Sequence, residues 1–143
     1  MKKIGSISLC VFLSGALCAQ VNQAFLDQLS VDNGLSQSEV LCVLKDRQGY
    51  VWMGTQDGLN RYDGYSFTYF KNNPFDASTL SSDQIYSLLE DAGGTIWVGT
   101  GNGLNRYEAA SGHFVRYPDS SASTRNFSIT RINALCTDRQ GVV

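Results

Sequence analysis

Two stretches of the 143-residue chain decide its fold. They are Asp46-Arg47-Gln48-Gly49-Tyr50-Val51-Trp52-Met53-Gly54-Thr55-Gln56-Asp57-Gly58-Leu59-Asn60-Arg61-Tyr62 and Asp91-Ala92-Gly93-Gly94-Thr95-Ile96-Trp97-Val98-Gly99-Thr100-Gly101-Asn102-Gly103-Leu104-Asn105-Arg106-Tyr107. Both read Asp-x-x-Gly-x-x-Trp-x-Gly-Thr-x-x-Gly-Leu-Asn-Arg-Tyr, at a constant offset of 45 residues. Widening the comparison to 35–62 against 80–107 gives 13 identities in 28 positions. Ordinary composition would give roughly two by chance. Such a period is a mark of repeat architectures. A third copy opens near the end: Leu135, Asp138 and Gly141 fall where Leu88, Asp91 and Gly94 fall, at an offset of 47. The next residue in register would be the Trp, and the chain stops at Val143. The expectation is therefore a piece of a longer polypeptide.

Within each unit the pattern predicts four short strands separated by turn residues. In the first they are 40–44, 50–54, 59–62 and 66–70; in the second, 86–89, 95–99, 104–107 and 113–117. Residues 46–49 and the Asp63-Gly64 pair supply hairpin turns. Four antiparallel strands per 45 residues is the period of a propeller blade. The expected fold is all-β: a β-propeller fragment of about two four-stranded blades plus the start of a third. The units run 1–19 (leader), 20–39 (lead-in), 40–79 (blade 1), 80–127 (blade 2) and 128–143 (start of blade 3). In the lead-in, 25–29 has the phase of an outer strand and is expected to close the last blade of the full ring.

That architecture gives the motif its reasons. A blade is packed on both faces, so Val40-Leu41-Cys42-Val43-Leu44 is apolar without alternation. Trp52 and Trp97 are expected between blades. Gly54 and Gly99 lie two residues on, on the same face of the strand, where they are expected to leave room for the indole. Gly58 and Gly103 suit turns that need positive φ. Asn60-Arg61 and Asn105-Arg106 recur unchanged, which favours structural hydrogen bonding. Asp46, Asp91 and Asp138 recur at one turn, the mark of a hairpin cap.

The first residues read as a secretory leader. Lys2 and Lys3 precede an uncharged stretch over 4–17, and cleavage after Ala19 fits. The stretch is short for a membrane span, and Leu17 sits poorly for lipid attachment at Cys18. Removing the leader leaves 9 basic against 13 acidic residues, a net charge of −4. No basic patch supports nucleic-acid binding. Cys10 and Cys18 leave with the leader. Cys42 and Cys136 would then meet an oxidising compartment. They lie two units apart, so the expectation is two buried thiols rather than a disulfide.

The run from Asp46 to Tyr62, with Gly49-Tyr50-Val51-Trp52-Met53-Gly54-Thr55 and Gly58-Leu59, resembles the two-component regulator propeller repeat. The opening Asn33-Gly34-Leu35-Ser36-Gln37 is similar to the start of sensor domains in hybrid two-component proteins. The resemblance covers roughly 25–143. It implies a periplasmic propeller, usually of seven blades, tethered to the inner membrane by downstream sequence. It also implies a histidine kinase in the parent protein, a homodimeric parent, and a carbohydrate or other small polar ligand. The remaining blades and downstream domains of the same chain would be its nearest partners.

No catalytic constellation is visible. His113 is the sole His, in a predicted outer strand, and is read as a surface residue. Neither Cys of the mature chain has a neighbouring His, and no metal-binding spacing occurs. No cofactor is expected, and no enzymatic activity for this piece. Three function classes stay open: a ligand-sensing module of a transmembrane regulator, blades of a secreted propeller lyase or glycosidase, and a protein-interaction scaffold. For binding, the loops at 35–39, 80–84, 55–57 and 100–102 are expected to gather at one end of the blades. Polar positions there that differ between units are free to serve recognition. They are Gln37, Gln56, Asp57, Asp83 and Asn102, whose amides and carboxylates suit hydroxyl-rich ligands.

Overall fold

The computed structural model describes residues 29–117, 131–138 and 143. The expected leader at 1–19 lies outside them, as do residues 25–28 of the expected closing strand; Leu29 is in no strand. The described residues form two four-stranded antiparallel sheets, each a simple meander. The first contains β1 (Val40–Lys45), β2 (Val51–Thr55), β3 (Gly58–Tyr62) and β4 (Phe67–Phe70). The second contains β5 (Ile85–Glu90), β6 (Ile96–Thr100), β7 (Gly103–Glu108) and β8 (His113–Tyr117). These are the eight strands that the apolar runs and turn residues predict, with ends moved by a residue or two. No described helix is long and apolar enough to cross a membrane.

The two sheets are the same object built twice. Both innermost pairs carry a register shift one residue into the strand, between Val40 and Cys42 and between Ile85 and Ser87. Gly58 and Gly103 hold φ of 107° and 101°, which only glycine adopts cheaply, at the tight β2–β3 and β6–β7 turns. A cluster of Trp52, Leu59, Leu80, Ile85, Ile96, Val98, Tyr107 and Phe114 fills the space between the sheets. Trp52 is 1% exposed. It stacks on Phe70 of its own blade at 5.8 Å and meets Tyr107 of the next edge-on at 5.1 Å. It therefore sits between blades, as the repeat requires.

Two expectations need correction. The space left by Gly54 is not taken by the indole. A Cβ there would meet Cys42 Sγ at 2.5 Å and Ile85 Cγ2 at 2.6 Å, so the glycine admits the first strand of the following blade. Gly99 does the same for Ile132, whose Cγ2 would lie 2.7 Å away. The second correction concerns the thiols. Both are free, but Cys136 is exposed and Cys42 only half-buried. Residues 131–138 belong to no strand, so no described strand pairs over Cys136. Ile132 nonetheless sits over Gly99 as Ile85 sits over Gly54, and its N–H donates to Thr100 O at 3.0 Å while its carbonyl accepts from Ser87 Oγ at 3.1 Å. The third copy thus begins by docking on blade 2 in the manner that blade 2 docks on blade 1.

Candidate functional site

Strand direction sorts the loops into two ends. Val40 pairs with Thr55, and Thr55 with Gly58. The segment before β1 and the β2–β3 turn therefore share one end with the β4–β5 connection. The turns at 46–49 and around Asp63 lie at the other. All five recognition candidates fall at the first end, which we call the loop end.

Their repeated neighbours build that end. In blade 1, Asn60 is fully buried. Its Oδ1 accepts from the Ser36 N–H at 3.0 Å, and its Nδ2 donates to Ser36 Oγ at 2.8 Å. Ser36 Oγ also meets Thr55 Oγ1 at 3.2 Å, and Thr55 Oγ1 donates to Gly58 O at 2.9 Å. Ser81, Thr100, Asn105 and Gly103 repeat every one of these bonds. Buried polar groups must find partners, so this network fixes Ser, Thr and Asn in both copies. Sequence reasoning gave Asn60 a structural part but missed its partners, although Ser36 and Thr55 were flagged by the same repetition.

The five candidates sit around this frame, each already in contact with its surroundings. Gln37 Oε1 accepts from the Gln56 N–H at 3.0 Å, joining two loops of blade 1. The Gln56 side chain is exposed and reaches Glu39 Oε2 at 3.5 Å. Asp57 pairs with Lys71 at 2.8 Å, both side chains half exposed, and that bond is the main reason the Lys71 ammonium titrates above its usual range. Asp83 Oδ1 accepts from the Asn72 N–H at 2.7 Å, and its carbonyl accepts from Gly58 N at 2.8 Å. Asn102 is exposed, with Nδ2 donating to Ser81 O at 3.4 Å. The structure thus brings Gln37 to Gln56 and Asp57 near Asp83, while Asn102 stands on the second blade.

At the turn end, Asp46 and Asp91 do more than cap. Asp46 Oδ1 accepts from the N–H groups of Gln48 and Tyr50 at 3.0 and 2.9 Å, and Oδ2 accepts from the Trp52 indole at 2.7 Å. Asp91 makes the same contacts with Gly93, Thr95 and Trp97. One carboxylate therefore closes the hairpin and orients the main core residue. A spacing of six between Asp and Trp, repeated, was the available signal.

None of the five candidates lines either of two clefts between the blades. One, of about 170 Å³, opens between the blades at the turn end beside Arg61 and Tyr107. The other, of about 290 Å³, lies between β4, β8 and the connection at 76–79, beside the exposed His113. Among the described residues no group of three His, Cys, Asp or Glu side chains is placed to hold a metal ion.

Comparison with known proteins bears on the repeat. The two component regulator propeller family matches residues 34–57 and 79–102, the two copies of the motif. Histidine kinase P4 of Formosa agariphila is 42% identical over 83 residues, covering 57% of this chain and 6% of that protein. A crystal structure described as the extracellular domain of a hybrid two component system from B. thetaiotaomicron superposes with a TM-score of 0.70 at 24% identity. It covers 80% of this chain and 16% of that one, and this likeness concerns the fold alone. The chain spans a small part of either relative. Its two four-stranded sheets are propeller blades, and the two copies of its motif match the two component regulator propeller family.

Proposed function

We propose that these blades are part of the periplasmic sensor propeller of a transmembrane hybrid histidine kinase, responding to a carbohydrate or another small polar ligand. The observation that supports this best is the 42% identity to a histidine kinase, over a stretch longer than one blade. The loop end adds a chemical argument. A Ser-Thr-Asn frame, its Thr and Asn buried, holds it in each blade, and what changes from blade to blade is the polar fringe of Gln37, Gln56, Asp57, Asp83 and Asn102. A rigid scaffold carrying variable polar groups is how loops commonly serve recognition. These amides and carboxylates suit hydroxyl groups, which both donate and accept. Kinase chemistry and dimerisation would belong to the rest of the parent protein.

Two measurements test the reading. Alkaline phosphatase fused after Val143 is expected to be active in a Gram-negative host, and inactivity would remove the periplasmic assignment. In membranes carrying the full protein, oligosaccharides are screened for a change in autophosphorylation. The effective sugar is then tested against a variant with all five candidates changed to Ala. Loss of response at unchanged melting temperature is the expected result; an undiminished response would move the site away from the loop end.

A further inference from the structure

The two copies of the Asn-Arg-Tyr segment differ in one chemically telling way. Arg106 of blade 2 forms an ion pair with Glu108, Nη2 to Oε1 at 2.8 Å. Arg61 occupies the same position in blade 1, but its register mate of Glu108 is Asp63. That carboxylate is one methylene shorter and is consumed by its own turn, where it accepts from the N–H groups of Tyr65 and Ser66 and from Ser66 Oγ. Arg61 has no carboxylate partner among the described residues. Its guanidinium donates to the Tyr107 hydroxyl at 3.0 Å. It is otherwise boxed by rings, with Cζ 4.7 Å from the Tyr50 centroid, 5.5 Å from Trp52 and 5.8 Å from Phe70. A guanidinium carries five N–H donors in a flat fork matched to a carboxylate, and one such bond is made here.

This half-buried cation borders the cleft of about 170 Å³ at the turn end, lined also by Asp46, Gln48, Tyr50, Glu90 and Tyr107. The two acids in that lining are already engaged. Asp46 accepts three N–H groups, as described. Glu90 Oε2 accepts from the Arg47 N–H at 3.1 Å, and its Oε1 lies 3.8 Å from the Arg47 guanidinium.

We propose that this inter-blade cleft binds a small carboxylate, held by Arg61 as Glu108 is held by Arg106 and flanked by the rings of Tyr50 and Trp52. A volume of this size, below the usual range for drug-sized ligands, admits one carboxylate-bearing group: a free organic acid or the acid group of a sugar acid. The site is at the opposite end of the blades from the loop end, so it stands or falls independently of the function proposed above.

The test is isothermal calorimetry on the purified full protein with acetate, glucuronate and glucose as probes. Acetate and glucuronate are expected to bind, and glucose not to. Equal affinities for the two acids would indicate a free carboxylate ligand, whereas a tenfold preference for glucuronate would indicate a sugar acid. Arg61→Gln is expected to weaken binding at least tenfold. Asp63→Glu recreates the pair of blade 2 inside blade 1, so it is expected to block the acids while keeping the arginine. If Arg61→Gln fails to fold, Asp63→Glu decides alone, with its melting temperature as control. Absence of binding by either acid, glucose binding as tightly as glucuronate, or unchanged affinity in Asp63→Glu would overturn the proposal.

Discussion

The carboxylate of Asp46 offers the most direct test of how a blade is held. It is 8% exposed and accepts three hydrogen bonds: two close the β1–β2 turn and the third fixes the indole of Trp52. Hydrogen bonds to a charged group contribute about 1.5–3 kcal/mol each, and an orphaned buried donor costs about 1–3 kcal/mol. The three share one acceptor and are not additive, so Asp46→Ala is expected to cost about 3 kcal/mol. Asp46→Asn is more informative. Its amide oxygen can take the place of Oδ1 and keep the two backbone bonds, but its NH₂ then faces the indole N–H, donor against donor. The cost should be about 1.5–3 kcal/mol, nearly all of it from the tryptophan bond. A double-mutant cycle isolates that bond. Phe at position 52 has no N–H, so Asp46→Asn in a Trp52→Phe background is expected to cost less than about 0.5 kcal/mol beyond Trp52→Phe alone. Equilibrium urea unfolding followed by far-UV circular dichroism reads all four proteins without relying on tryptophan emission. Equal cost of Asp46→Asn in both backgrounds would refute the carboxylate–indole argument, leaving the residue a turn cap only.

Trp52→Ala should cost about 3–5 kcal/mol by urea unfolding, through lost burial plus the cavity left behind; Trp97→Ala should cost less, because its indole is half-buried and has Tyr117 of its own blade as its ring neighbour. Burial pushes the Cys42 thiol up to about 11, so maleimide at pH 8 should label the exposed Cys136 first, with Cys42 slower by roughly a hundredfold in peptide mapping. The Asp91 carboxyl is held below its usual range, chiefly by the Trp97 indole and then by the Thr95 N–H. A depressed carboxylate pKa stabilises the fold above the unfolded value near 4 and loses that contribution as pH falls through the folded value. Melting temperature should therefore drop below about pH 4, and less steeply in Asp91→Asn.

The strands, the blade period and the place of Trp52 were legible because each is written twice. A position that recurs at a fixed offset is one that the blade demands, and the eight strands follow from turn residues around apolar runs. The use made of each position was less legible. Gly54 reads as space for a large neighbour in its own strand, yet Ile85, 31 residues on, takes the space. That contact is set by how blades stack, and stacking has no local signature. The burial of Cys136 was expected from its place two units from Cys42, but residues 131–138 lie in no strand. At the loop end, the varied positions were legible as varied, but variation does not say which of them meet. The Gln37–Gln56 and Asp57–Lys71 contacts depend on side-chain reach across two loops.

Where repeats diverge, the structure shows whether a difference is free or compensated. Tyr69 and Arg116 share no chemistry, and their strands β4 and β8 resemble each other little. They nevertheless occupy one register position, opposite Asn60 and Asn105. The Tyr69 hydroxyl donates to the carbonyl of Gly34, in the segment that leads into β1. Arg116 Nε donates at 2.9 Å to the carbonyl of Thr79, the register mate of Gly34, and Arg116 Nη2 reaches the carbonyls of Asp76 and Leu80 as well. In both blades the outer strand thus sends one long donor to hold the segment entering its own first strand. The connection before β5 presents several carbonyls, and the guanidinium has the hydrogens to meet them. Asp63 against Glu108 is a difference of another kind: nothing in blade 1 replaces the carboxylate that Arg106 receives in blade 2. A substitution answered elsewhere in the blade preserves the scaffold. One left unanswered beside an open cleft leaves binding capacity unused, and Arg61 meets that description.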